Sequence, residues 1–242
     1  MTFRPHISIV IPVYNEQAIL HAAIVDLRER LKPAGWTYEI IVSENGSTDR
    51  TIEIGNELAA KYSDPNDGPV RTLSMGEPNY GRAMREGILA SSGELVICDE
   101  IDLCDADFHR RAIEILETGE ADFVIGSKLA QGAADERPML RHAASIAYST
   151  LLKILLGFRG TDTHGLKAFR RSALIDVVSA CLVEKDVFAS EFVIRADRGG
   201  VKIREIPVHI IEKRPPSINL FKRVPNVLKS LVKLTWAIRV RG

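Results

Sequence analysis

Three carboxylates fall within four residues at Asp99-Glu100-Ile101-Asp102, directly after the apolar run ELVIC at 94–98. Like charges this close repel one another unless a cation or solvent compensates them. In an extended segment residues two apart point the same way, so Glu100 and Asp102 can share one ion while Asp99 faces the other side. A hard Mg2+ or Mn2+ takes one or two carboxylates and completes its octahedron with diphosphate oxygens and water, which suits this pair. A solvated acidic loop has the same composition, so the motif needs its context.

Two further polar clusters follow apolar runs. Pro12-Val13-Tyr14-Asn15-Glu16 ends the first run, ISIVIPV at 7–13, and places an aromatic ring able to stack on a nucleobase at a helix entrance. A turn with an acid at the helix N-terminus reads equally well there. Glu44-Asn45-Gly46-Ser47-Thr48-Asp49-Arg50-Thr51 follows YEIIVS at 38–43; Gly46 permits close backbone approach and Ser47 or Thr48 is expected to cap the next helix.

The elements that must position these clusters have a βαβ rhythm. Strands are predicted at 7–13, 38–43, 71–75, 94–98 and 121–127, with helices near 16–32, 48–62, 80–90 and 106–118 between them. ISIVI, EIIV, ELVI and DFVI are apolar at successive positions, as parallel strands covered on both faces require. The fold class expected is therefore α/β, an open, mostly parallel sheet of at least five strands with helices on both faces. In such sheets ligands sit beyond the carboxyl ends of the strands, where all three clusters lie. Beyond residue 130 the rhythm breaks into a polar loop, a long apolar helix near 139–157, a short segment around THGLKAF, two more helices and an extended stretch at 201–211, read as a cap plus late strands.

Other chemistries lose weight. The six histidines show no short ligand pair, and Cys98, Cys104 and Cys181 form neither a Cys-x-x-Cys zinc motif nor a disulfide framework. There is no Walker-type phosphate loop, no Gly-x-Gly-x-x-Gly after the first strand, no Gly-x-Ser-x-Gly elbow and no basic face with interleaved aromatics for nucleic acid. No run reaches the roughly 18 apolar residues of a spanning helix, and the N-terminus does not read as a signal peptide, so a cytoplasmic location is expected.

The charge is unevenly spread. The 242 residues carry 32 basic and 32 acidic side chains, yet no acid follows Glu212, which makes residues 213–242 +8 and residues 1–212 −8. In this tail Val224, Val227, Leu228, Leu231, Leu234 and Ile238 recur every three or four residues, with Lys222, Lys229 and Lys233 largely off the stripe. A basic amphipathic C-terminal helix is expected over 221–241. It can lie on an anionic membrane surface, or its apolar face can pack on the domain or in a homodimer. The apolar helix at 143–158 reads as core or a dimer contact in preference to a lipid groove.

Taken in order, these segments resemble glycosyltransferase family 2, most closely its dolichol-phosphate mannosyltransferase-like branch, over about residues 5–214. The matching pieces are IPVYNE, ENGSTDRT, NYGRAMREGI at 79–88, EIDL, IGSK at 125–128, the run from Asp162 to Phe169, Glu191 and EIPV at 205–208. The resemblance implies a GT-A fold over 1–213, with 214–242 as the tail. It also implies that Pro12, Tyr14, Glu16 and Glu44 surround the nucleotide, with Asn45, Gly81 and Arg82 in the same donor set, and that Glu100 and Asp102 hold Mg2+ or Mn2+. Lys128 stands where relatives usually have arginine near the phosphates, Arg141, Arg214 and Lys222 match basic positions, and Asp162 and Glu191 line the sugar and acceptor side. The metal motif departs from the family's Asp-x-Asp, and Glu44-Asn45 replaces the commoner Asp-Asp.

The function so implied is inverting, metal-dependent transfer of a hexose from a nucleotide sugar (GDP-mannose or UDP-hexose) to a polyprenyl phosphate by a peripheral membrane enzyme. A hydroxyl acceptor would instead need a carboxylate base, with Asp162 or Glu191 the candidates. A non-catalytic nucleotide-sugar-binding or partner protein is the remaining alternative.

Overall fold

A computed structural model describes residues 4–136, 138–210 and 220–241, the side chains of residues 135, 186, 210 and 220–225 excepted. The expected rhythm is present: β1 (Ile7–Val13), α1 (Leu20–Leu31), β2 (Tyr38–Glu44), α2 (Thr51–Lys61), β3 (Val70–Ser74), α3 (Tyr80–Leu89), β4 (Leu95–Cys98), α4 (Ala106–Glu117) and β5 (Phe123–Ser127). All seven residues of β1 and of β2 are buried, which is why these strands are apolar at nearly every position. Alternate residues serve opposite faces. Ile7, Ile9, Ile11 and Val13 pack with α1, α2 and α4 through Leu20, Ile24, Leu58 and Phe108, while Val10, Ile41 and Val96 pack with Met84 and Ile88 of α3 on the other side.

The second half continues with β6 (Ala134–Asp135), α5 (Met139–Leu156), β7 (Lys167–Arg170), α6 (Arg171–Ala180), α7 (Phe188–Arg198), β8 (Ile203–Pro207), β9 (His209–Ile210) and α8 (Leu220–Arg239). The main sheet has seven strands in the order β3-β2-β1-β4-β7-β5-β8, and β6 pairs with β9 in a separate ribbon. β1, β2, β3 and β4 are mutually parallel, as are β5 and β8, whereas β7 is antiparallel to both β4 and β5. The chain runs outward from β1 to β3 and returns on the other side as β4. The crevice at the carboxyl ends of β1 and β4 is thus a topological switch point, and Tyr14 and Glu100 stand at its two sides.

The sequence reading missed β7, the strand inside the THGLKAF segment. Its four residues are too few for a periodic signal, and its first is a fully buried lysine. Its approach to β5 depends on Gly165, where a Cβ would overlap the carbonyl oxygen of Gly126. The extended stretch at 201–211 divides, because Pro207 has no N–H to continue the ladder; β8 joins the main sheet and β9 turns to β6.

The long apolar helix, expected as core or a dimer contact, is core only in part. Only Ser149, Leu152 and Leu156 of α5 are buried, and Ile146, Leu151, Ile154 and Leu155 are exposed, so most of its surface is not core. α8 is divided: Leu231, Leu234, Ala237 and Ile238 are buried, while Val227, Leu228, Val232 and Trp236 are exposed, as is Val240 just beyond it. Leu231, Leu234 and Ile238 share a core cluster with Leu152 and Leu156 of α5, so this stripe is occupied by the domain itself. The boundary expected at 213/214 lies outside the described residues. Among the described residues no helix is long and apolar enough to cross a membrane.

Candidate active site

Two strand-end turns are sewn together at the crevice. Asn15 adopts a left-handed conformation (φ 54°), which its short polar side chain tolerates. Its N–H donates to Ser47 Oγ at 3.0 Å, and its Oδ1 accepts the Thr48 N–H at 2.8 Å. Glu16 N–H donates to Thr51 Oγ1 at 2.7 Å. Ser47 and Thr48 therefore do not cap α2, as expected from sequence. Their groups are engaged by the neighbouring turn, and Asp49 Oδ1 accepts the Thr51 N–H at 2.9 Å instead. Pro12 is buried in β1, Glu16 is half-buried, and the Tyr14 ring is 44% exposed, open to a planar ligand.

Glu44 ends β2 only 2% exposed, accepting the Ser47 N–H and, at 2.5 Å, the Ser74 hydroxyl. The neighbouring Asn45 Oδ1 accepts the Asn79 N–H. Asn79 in turn caps α3, its Oδ1 accepting the N–H of Arg82 at 3.1 Å and of Lys185 at 2.9 Å, while its amide donates to Glu184 at 2.6 Å. This threads the loop before α7 over the start of α3. Gly81 is required there, since a Cβ would meet the Lys185 carbonyl oxygen at 2.5 Å. Arg82 pairs with Glu77 at 3.1 Å, so among the described contacts it braces the rim.

The acidic motif leaves β4 between these turns and the second half of the sheet. Asp99 is buried; its Oδ2 lies 2.6 Å from His109 Nε2, and its Oδ1 accepts the Glu100 N–H at 2.7 Å. Glu100 keeps an exposed face. Desolvation by the surrounding protein, followed by the charge of Asp102, pushes its carboxyl up to about 7, against the opposing pull of Lys167 and Lys128. The Tyr80 phenol is driven well above its usual value by desolvation and then by Glu100, Cys98, Asp102 and Asp99, which places it beside the same acids.

Lys128 and Asp162 meet at 2.6 Å, both nearly buried. Desolvation would raise Asp162, but Lys128 and the His164 N–H hold it below the usual carboxylate range. Its loop is clamped from β8: Glu205 accepts the Thr161 N–H and hydroxyl, each at 2.6 Å. Below lies Lys167, fully buried and donating to the Gly165 carbonyl at 2.7 Å, its amine lowered by desolvation.

Whether these residues fit a divalent cation is decided by their donors. Among the described residues no three His, Cys, Asp or Glu side chains gather into a protein cage. Two carboxylates two residues apart, one of them raised by desolvation and then by the charge of the other, fit a hard cation that draws its remaining ligands from phosphate and water.

The structure thus gathers Glu100, Asp102, Lys128 and Asp162, with Tyr14, Glu16, Glu44 and Asn45 at the adjoining strand ends. Glu191 is corrected. It is fully buried, its Oε2 accepts the N–H groups of Leu182 and Val183 at 2.9 and 2.6 Å, and its Oε1 pairs with Arg195 at 2.8 Å. It shapes the loop leading to α7 and does not line an acceptor site. Arg141 is half-buried in the first turn of α5, Arg214 lies outside the described residues, and the side chain of Lys222 is not described. Tyr80, Lys167 and Glu205 lie in segments that carried the family resemblance, but the sequence reading gave them no individual role. A lysine inside an apolar run was the one available signal, for Lys167; Tyr80 and Glu205 become visible only when the chain closes.

The chain resembles known glycosyltransferases in sequence and in fold. The chain is 27% identical over 241 residues to the glycosyltransferase AglD of Haloferax volcanii, covering 97% of this chain but 38% of that protein. It is 26% identical over 240 residues to the dolichyl-phosphate hexose transferase of the same organism, covering 97% and 96%. Among solved structures, glucosyl-3-phosphoglycerate synthase from Mycobacterium tuberculosis, crystallised with Mn2+, UDP-glucose and phosphoglyceric acid, superposes with a TM-score of 0.64 at 21% identity over 96% of this chain and 80% of that one. That likeness shows the GT-A fold. The sequence profile of glycosyl transferase family 2 matches residues 8–178, most of the sheet and both strand-end clusters, and the chain belongs to that family.

Proposed function

We propose that this chain transfers a hexose from a nucleotide sugar to a polyprenyl phosphate, with inversion, at the carboxyl ends of β1, β2 and β4. One observation carries the choice of acceptor: neither candidate base is suited to deprotonating a hydroxyl. Asp162 is ion-paired with Lys128 and held below the usual carboxylate range, and Glu191 is buried with its oxygens engaged. A general base works best with a pKa near the operating pH and within hydrogen-bond reach of its proton. A phosphate monoester, with a second pKa of about 6, is already anionic at neutral pH and needs no base. The dolichyl-phosphate hexose transferase that matches along nearly its whole length supports the same acceptor class.

In this reading Glu100 and Asp102 hold Mg2+ or Mn2+, which when bound supplies electrostatic stabilisation to the diphosphate leaving group. Tyr14 stacks on the base, and the Glu44–Asn45 turn borders the nucleoside. Lys128 offers a cation close to the developing negative charge, its position fixed by Asp162, which is itself held by Glu205 through Thr161. No side-chain nucleophile is required, which is consistent with a single inverting displacement.

The exposed apolar residues of α5 and α8 support peripheral attachment to the cytoplasmic membrane face. Ile154 and Val232 are 70% and 71% exposed, and Lys229, Lys233, Arg239 and Arg241 are exposed on or just beyond α8. Such a surface suits an anionic bilayer, and a homodimer is the competing occupant.

The test incubates purified protein and Mn2+ or Mg2+ with labelled GDP- and UDP-hexoses and polyprenyl phosphate. Label entering the organic phase with one donor, and lost on chelation, is expected. Nucleotide diphosphate release only with hydroxyl acceptors would overturn the acceptor assignment, and no transfer with either acceptor class would favour a non-catalytic role.

A further inference from the structure

His109 and Asp99 form a polar pair in an apolar place. Both side chains are fully buried, and the residues around the loop they close, Ile101, Cys104, Phe108, Ala112 and Ile113, belong to the main hydrophobic cluster. The pair shares one hydrogen bond, 2.6 Å between His109 Nε2 and Asp99 Oδ2. Among the described residues, His109 Nδ1 is buried without a hydrogen-bond partner. Burying a carboxylate and an imidazole with one nitrogen orphaned is costly, and two apolar side chains of similar volume would pack at lower cost. The pair therefore invites an explanation other than stability.

Its position supplies one. Asp99 is anchored to the sheet by its N–H, which donates to the Val10 carbonyl at 3.0 Å. His109 is anchored to α4, whose first turn is fixed by Asp105 Oδ1 accepting the N–H groups of Asp107 and Phe108, each at 3.0 Å. The nine residues between them carry Glu100 and Asp102. Within it, the Glu100 carbonyl accepts the N–H groups of Leu103 and Cys104 at 3.0 Å, and Cys104 takes a left-handed conformation (φ 42°). The other Asp99 oxygen accepts the Glu100 N–H. One carboxylate thus joins the helix, the strand end and the first acid of the motif.

We propose that the His109–Asp99 hydrogen bond is the fastening that holds the Glu100–Asp102 turn in the geometry a divalent cation requires, which makes His109 a positioning residue of the metal site. The inference rests on the reading that these two carboxylates bind the cation. Groups that orient metal ligands without touching the metal typically affect affinity by about 10- to 100-fold.

The test is Mn2+ binding, followed by the electron paramagnetic resonance signal of free Mn2+ in the presence of UDP or GDP, for the full chain and for H109F and H109Q. Glutamine can present an amide N–H near the place of Nε2; phenylalanine fills the space without a donor. Binding about tenfold weaker in H109F or worse, restored in H109Q, is expected, with turnover at saturating Mn2+ recovering in both. Thermal unfolding without metal checks that the variants are folded; should H109F not fold, H109M, whose flexible thioether fills the same space, replaces it. Equal Mn2+ affinity in the donor-less variant and in the unsubstituted protein overturns the positioning role alone. No Mn2+ binding by the unsubstituted protein overturns the metal reading, and the positioning role with it.

Discussion

The two ends of the central sheet treat the same side chain in opposite ways. At the amino end Glu39, second residue of β2, is buried and answered completely: Ser8 and Ser92 hydroxyls at 2.7 Å, the Ser92 N–H at 2.9 Å and Arg71 at 2.9 Å. Desolvation opposes ionisation there, but these donors win and hold Glu39 below the usual carboxylate range. At the carboxyl end Glu100 is raised to about 7, because desolvation and its acidic neighbours outweigh Lys167 and Lys128. Glu39 ties β1, β2, β3 and the turn before β4 into one structure. Glu100 is a carboxyl that the fold buries without a matching set of donors, which under the proposed reading leaves it for a cation to stabilise.

Substitutions at the two ends should therefore separate activity from stability. Asp102→Asn is expected to lower kcat/KM at least about a thousandfold, or about 4 kcal/mol of transition-state stabilisation, with little change in Tm; steady-state kinetics and calorimetry read the two quantities. Glu39→Gln should do the reverse. Glutamine keeps one acceptor oxygen but loses the buried charge that Arg71 and the serines answer, which costs about 2 kcal/mol, a fall in Tm of roughly 4–8 °C for a chain of this size, while activity per folded molecule is kept.

The pH dependence sharpens the contrast. Glu39 is depressed on folding, so its stabilisation is present above the unfolded carboxylate value of about 4.3 and is lost as pH falls through the folded value. Glu39→Gln should flatten the acid limb of the Tm–pH curve. Glu100 is raised, so its contribution is most favourable below the unfolded value and declines as pH rises toward about 7. Glu100→Gln should raise Tm at pH 8 in the absence of metal and leave it unchanged at pH 4. The smallest effect belongs to the proposed membrane face: Lys233→Gln should weaken sedimentation with anionic vesicles by about 1 kcal/mol, roughly fivefold, and leave binding to neutral vesicles unaltered.

Much of this contrast was legible in the sequence, for a physical reason. Parallel strands buried on both faces write themselves as unbroken apolar runs, and the polar residues that follow each run mark the carboxyl ends; Tyr14, Glu44 and Glu100 were found that way. What was not legible depends on contacts distant in sequence. β7 is four residues long and enters the sheet between β4 and β5 only because Gly165 lets the backbones touch. Ser47 had two possible employments, capping α2 or receiving the Asn15 N–H, and a linear reading could not see the neighbouring turn. Glu191 sat at a position the family resemblance gave to the acceptor side, yet the Leu182–Val183 amides and Arg195 occupy it. α5 is mostly apolar yet buries only Ser149, Leu152 and Leu156, a distinction that composition alone does not carry.

The most direct test measures label transfer to polyprenyl phosphate side by side in the unsubstituted protein, Asp102→Asn and Glu39→Gln, at a temperature where calorimetry shows all three folded. Transfer retained by Glu39→Gln and lost by Asp102→Asn is the predicted result. Transfer surviving in Asp102→Asn at an undiminished rate would contradict it, because the acids at the carboxyl end of β4 would then not be where the reaction takes place.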